Sequence, residues 1–148
     1  MNNPNLANIL ALKQYNKINL HTSIESASPH RLIQMLIDGA MSKLAQAKGH
    51  MKASSIAQKG EDISMAISII GGLRDSLDHE KGGSIANNLE DLYEYMTYRL
   101  MEANMKNDIS LIDEVRDLLM EIKTAWDAIA SHPEVTKTGE HEQITPAA

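Results

Sequence analysis

Apolar residues recur at helical spacing in four long segments of the chain, and no segment alternates in the manner of a strand. The first segment opens at Ser28 and repeats Ile33, Leu36, Ala40, Leu44, Ala47 and Met51. Ser28-Pro29 gives it a start, a capping hydroxyl followed by proline at the first helical position. After a break near Ala53–Ser55 the second segment runs through Ile56, Ile63, Ile67, Ile70 and Leu77. It is expected to stop before Gly82-Gly83, where the backbone can reverse. Ser84 is placed to cap the third segment, whose stripe is Ile85, Leu89, Leu92, Met96, Leu100 and Ala103. Asn107-Asp108 supplies a short turn and a new cap. The fourth repeats Ile112, Val115, Leu119, Ile122, Trp126 and Ile129 and is closed by His132-Pro133.

Four helices of similar length joined by short turns predict an all-α fold, an antiparallel up-down four-helix bundle over residues 28–132. Residues 1–27 add an N-terminal helical or extended segment, weakly amphipathic through Leu6, Ile9, Leu10, Leu12, Tyr15, Ile18 and Leu20. Residues 133–148 are polar and carry Pro and Gly, so a disordered C-terminal tail is expected.

Composition narrows the chemistry. The 148 residues are 43% hydrophobic and include nine Met, four Tyr, one Trp and no Phe, which predicts an aliphatic, thioether-rich core. Without cysteine there is no disulfide framework, cysteine zinc site or cysteine nucleophile, which fits a reducing compartment. The start of the chain lacks the pattern of a signal peptide, and nothing reaches the length of a membrane span. A cytoplasmic protein without membrane insertion is therefore expected. A net charge of −6 and the lack of any Lys/Arg cluster argue against a nucleic-acid partner.

A bundle can house two metals, but that site needs Glu-x-x-His on two helices. Three residues before the six histidines stand Ile18, Ala27, Ala47, Ser76, Ile129 and Thr138, none of them a carboxylate. The polar cluster Asp78–Gly83, "DHEKGG", has neither metalloprotease spacing nor a phosphate-loop ending. It reads as a solvated helix end with its glycine stop. No spacing pairs a nucleophile with a base. The sequence predicts no enzyme, no metal and no cofactor. His30 reads as an exposed first-turn residue and Trp126 as a core residue.

What remains is an apolar excess. Projected at about 100° per residue, Leu32, Met35 and Gly39 fall away from the first helix's core line. Met65, Ile69 and Gly72 do so on the second helix, and Tyr98, Met101 and Met105 on the third. Flexible side chains beside glycine make adaptable walls. These faces can pack within one monomer, receive an amphipathic partner helix, or bury themselves in a homodimer.

Tyr15…Ile18, "SASPHRLIQMLIDGA", "LDHEKGGSIANNLEDLYEYMTYRLMEAN" and "EVRDLLMEIKTAW" together closely resemble the flagellin-specific export chaperone family, FliS. The likeness runs in order over about residues 12 to 130, including the loop lengths. Family members often carry an aromatic where Ile37 stands here. The resemblance implies a cytoplasmic, non-catalytic bundle that binds the disordered C-terminal segment of flagellin and keeps it from polymerising. It further implies delivery of that cargo to the flagellar type III export gate. It also implies that the segment bearing Leu12, Tyr15 and Ile18 lies over a hydrophobic pocket and contacts cargo and gate. The groove residues that go with this reading are Leu32, Met35, Gly39, Met65, Ile69, Gly72, Tyr98 and Met101.

Overall fold

Each apolar repeat becomes one helix. The computed structural model describes residues 27–130; the expected N-terminal flap and C-terminal tail lie outside them. Helix α1 spans Pro29–Lys52, α2 Ile56–Asp75, α3 His79–Lys106 and α4 Ile109–Ala130. The connectors are so short that consecutive helices must run antiparallel, and α4 returns to pack beside α1. Among the described residues the fold is the predicted four-helix up-down bundle.

The helix ends follow local chemistry. Ser28 Oγ accepts a hydrogen bond from the Arg31 N–H at 3.1 Å, with Pro29 in the first turn. Helix α3 ends at Asn107, whose left-handed φ of 54° is one that asparagine tolerates better than most residues. Asp108 then caps α4, accepting from the Ser110 N–H at 2.9 Å and hydroxyl at 2.6 Å. These bonds, the hydroxyl's first, hold the Asp108 carboxyl below its usual range.

The reversal between α2 and α3 departs from the sequence expectation. Helix α2 stops at Asp75, and α3 begins at His79 under a cap from Asp78, whose carboxylate accepts from the Lys81 N–H at 3.0 Å. Gly83 interrupts α3 with φ 53° and ψ −127°, so Ser84 follows a break inside the helix and is not its first cap. The glycine pair marks a kink between one turn and a long helix. Ile85, expected in the core, is 69% exposed beside that break, and Ile56 and Ile129, at helix ends, are exposed as well.

The core is wider than a single stripe. Met35, Leu36 and Ile37 are consecutive and all buried, as are Ile69 and Ile70. A helix in a closed ring faces two neighbours, so its apolar arc must cover both. That corrects the second-face assignment: Met35, Gly39, Ile69 and Gly72 lie in the interior and line no open groove. Ile33 and Ile67, placed on the core lines by projection, are only partly buried. The α1–α2 interface is the most extensive of the four.

Two polar ties close the ends. At one, buried Lys59 donates from Nζ to the Asn104 carbonyl at 3.1 Å and to Asn107 Oδ1 at 3.2 Å. The ammonium thus sits on a backbone carbonyl of the last turn and the cap side chain at the negative end of α3. Nearby, Asp62, also buried, pairs with His50 Nδ1 at 2.7 Å. At the other end the His30 ring stacks on Trp126 with centroids 4.6 Å apart, and the indole N–H donates to the His30 carbonyl at 3.0 Å. His30, expected exposed, is half-buried, because the indole of α4 covers it. Gln34 on α1 adds a bond to Asp127 Oδ1 at 2.8 Å.

Two outcomes follow from these ties. Lys59→Ala removes both bonds and the packing of a buried side chain and should lower unfolding free energy by about 1–3 kcal/mol in a urea titration, whereas Lys52→Ala, at an exposed site, should cost less than about 0.5 kcal/mol. Burial pushes the His30 pKa below its ordinary 6.5, outweighing the opposing pull of Asp127, and leaves Nε2 without a partner. The unfolded chain therefore takes up the proton more readily than the native one, so His30's contribution is full above the unfolded pKa and fades as pH falls through it. His30→Phe keeps the stack and should flatten the loss of stability that sets in as pH falls through the ordinary histidine value of 6.5, measured by denaturant unfolding.

Candidate partner-binding site

With the interior spoken for, two apolar surfaces stand out among the described residues. The first is the outer face of α3. Its inward residues Met96, Leu100 and Ala103 are fully buried, which fixes the helix rotation. That rotation turns Tyr98, Met101 and Met105 outward, at 62%, 52% and 78% exposure. They occupy an arc of about 60° opposite the core line, a continuous ridge of one ring and two thioethers.

Charged neighbours brace the ridge on its α4 side. Arg99 donates from Nε to Glu114 Oε1 at 2.8 Å and from a terminal nitrogen to Glu102 Oε1 at 2.9 Å. Its guanidinium also lies 5.7 Å from the Tyr95 ring centre, and the Tyr95 hydroxyl donates to the other oxygen of Glu114. Lys106 reaches back to Glu102 at 2.8 Å. The Tyr95 hydroxyl and then Arg99 hold the Glu114 carboxyl below its usual range, while Lys106 does so for Glu102. At such exposure these pairs add little stability. Their consequence is order: the side chains flanking the ridge are held in place.

The second place is a cavity of about 340 Å³ at the end of the bundle where α2 gives way to α3. Ile33 of α1, Leu73 and Leu77, Leu89 and Tyr93 of α3, and Ile122 and Trp126 of α4 contribute its apolar walls. Lys81, Gly82 and Ile85 lie around it on the side of the glycine kink. Tyr93 is buried there, which pushes its phenol up to about 12, so it presents a neutral hydroxyl at any physiological pH.

The residues singled out from the sequence thus separate. Tyr98 and Met101 sit together on the ridge; Leu32 on α1 and Met65 on α2 are partly buried; Met35, Gly39, Ile69 and Gly72 are interior. Leu12, Tyr15 and Ile18 lie outside the described residues. The resemblance implied a hydrophobic pocket, but the residues that line this cavity were not singled out from the sequence as a site. Its residue-level signals were a lone Trp near the end of the last stripe and an isoleucine two positions after a glycine pair. Among the described residues no group of three His, Asp or Glu side chains is arranged to hold a metal ion, and no helix is long and apolar enough to cross a membrane.

A surface of apolar ridges with no such cluster is suited to holding another chain. Comparison with known proteins agrees. The profile of the family described as flagellar protein FliS matches residues 11–133. The chain is 52% identical over 120 residues to the flagellar secretion chaperone FliSB of Pseudomonas aeruginosa, covering 81% of this chain and 95% of that one. It is 47% identical over 120 residues to the flagellar secretion chaperone FliS of Salmonella typhimurium, covering 80% and 89% of the two chains. A more distant relative, the flagellar secretion chaperone FliS of Bacillus subtilis, is 28% identical over 104 residues. These relatives are named as secretion chaperones and not as enzymes. With a family profile spanning most of its length and relatives covered nearly end to end, the chain belongs to the FliS family of flagellar proteins.

Proposed function

We propose that this protein is a cytoplasmic chaperone of flagellar export that holds the disordered C-terminal segment of flagellin, keeps it from polymerising early and delivers it to the type III export gate. The observation that carries this reading is the exposed Tyr98–Met101–Met105 ridge, an apolar surface left open on a folded bundle. A disordered cargo loses chain entropy when it binds and needs apolar burial to offset that loss. Thioether side chains adapt to irregular partners, which suits a segment that folds as it binds.

The ridge is the main cargo contact in this reading, and Leu32 on α1 and Met65 on α2 are proposed as further contacts away from it. The N-terminal segment bearing Leu12, Tyr15 and Ile18 serves as a flap. It joins the bundle at the start of α1, and Ile33 in that helix lines the end cavity, so the flap is tethered close to the apolar surface it is proposed to cover. Covering the cavity between cargoes limits self-association.

Replacement of Met101 by Glu puts a charge at the centre of the ridge. It should weaken binding of the flagellin C-terminal segment by about tenfold or more in a calorimetric titration, with the melting temperature nearly unchanged. The matching change at buried Met35 should instead unfold the bundle. Unaltered cargo affinity in Met101→Glu would remove the ridge from the site. Loss of a dimer in that variant, with affinity retained, would reassign the ridge to self-association.

A further inference from the structure

We infer that the turn His79–Gly82 is a hinged wall of the end cavity, latched by His79 and swung outward to admit an apolar side chain of the bound partner. This rests on the chaperone reading above and adds the end cavity, which the flap is proposed to cover between cargoes, to the surface that the cargo uses.

The turn is a unit of its own. The Asp78 carboxylate accepts from the Lys81 N–H at 3.0 Å, and the Asp78 carbonyl accepts from the Gly82 N–H at 2.8 Å. It joins the rest of α3 through Gly83 alone, at a φ of 53° and ψ of −127° that side-chain-bearing residues rarely adopt. A change in that single non-helical residue moves the whole turn while both flanking pieces keep their internal hydrogen bonds.

The closed position requires both glycines, for different reasons. A Cβ at Gly82 would lie 2.8 Å from the Ala86 Cβ, an atom fixed to the backbone of α3. Only a residue without a side chain lets the turn lie against the helix. Gly83, by contrast, has open space around its missing Cβ, so its requirement is conformational.

The latch is polar and shallow. His79 is bonded through both ring nitrogens, Nδ1 to Asn87 Oδ1 at 2.9 Å and Nε2 to Glu90 Oε1 at 2.9 Å. The other oxygen of Glu90 takes Nε and a terminal nitrogen of Arg74 at 3.2 and 3.0 Å, tying the latch to α2. All of these side chains are partly solvated, so each bond is weak and the set can open at small cost. Behind the latch lie apolar Leu77, Ile85 and Ala86, so opening trades little polar energy for access to an apolar space.

The lone tryptophan reports on this motion, because Trp126 lines the same cavity. In the full-length protein, His79→Ala removes the latch and Gly82→Ala props the turn off Ala86. Each should raise acrylamide quenching of Trp126 by about twofold while far-ultraviolet ellipticity is kept. Adding Ala86→Gly to Gly82→Ala removes the colliding Cβ and should return quenching toward the wild-type value. Association of the flagellin C-terminal segment with the two single variants should be several-fold faster than with wild type. Unchanged quenching in both single variants overturns the hinge. Raised quenching with unchanged association overturns its role in admission. If the wild type itself fails to bind the flagellin segment, the cargo reading falls, and quenching still decides the hinge.

Discussion

The structure depends on burying helices from two sides at once. Met35, Leu36 and Ile37 are three neighbours in sequence, so they project over more than half of the α1 circumference, yet each is sealed from water. One partner helix cannot cover such an arc. Closure of the ring, with α2 on one side and α4 on the other, is what makes these residues compatible with a soluble fold. Helix α3 is under a weaker version of the constraint. Its buried stripe of Tyr93, Met96, Leu100 and Ala103 is narrow, and its outer face is free to carry Tyr98, Met101 and Met105. The division of labour among the helices follows: α1 and α2 hold the bundle together, and α3 faces outward.

This division explains which parts of the molecule the sequence reveals. Four helices, their order and three of their caps are legible, because periodicity of three and four and residues such as Ser28, Asn107 and Asp108 act locally. The second faces of α1 and α2 are not legible. Projection separates Met35 from the Leu36 line, but it carries no information on how many neighbours a helix will have. The same projection succeeded on α3, where Tyr98 and Met101 proved exposed, because only one arc of that helix is enclosed. Identical patterns meant opposite things on different helices, and tertiary packing decided between them.

The helix ends show a second limit. Gly82-Gly83 signals a break, and one is present at Gly83, but the close seating of the turn depends on the approach of Gly82 to Ala86, which the sequence alone does not display. The lone Trp126 was readable as a packing residue, while its stack on His30 and its place beside the cavity depend on residues about 90 positions apart in the chain being brought together by ring closure. Likewise Lys59 looks like an ordinary polar position until α3 ends above it. The end cavity and the glycine break both lie at such a junction, where helices stop covering one another.

The central claim is that the enclosed thioethers build the bundle and the exposed ones bind the cargo. Methyl-resolved NMR of the protein with labelled methionine tests it directly, because Met51 and Met96 are core residues and Met101 and Met105 are ridge residues. On titration with the flagellin C-terminal segment, the Met101 and Met105 methyl signals should shift together in proportion to binding while those of Met51 and Met96 stay in place. Binding that moves Met51 and Met96 and leaves the ridge signals untouched would contradict the account.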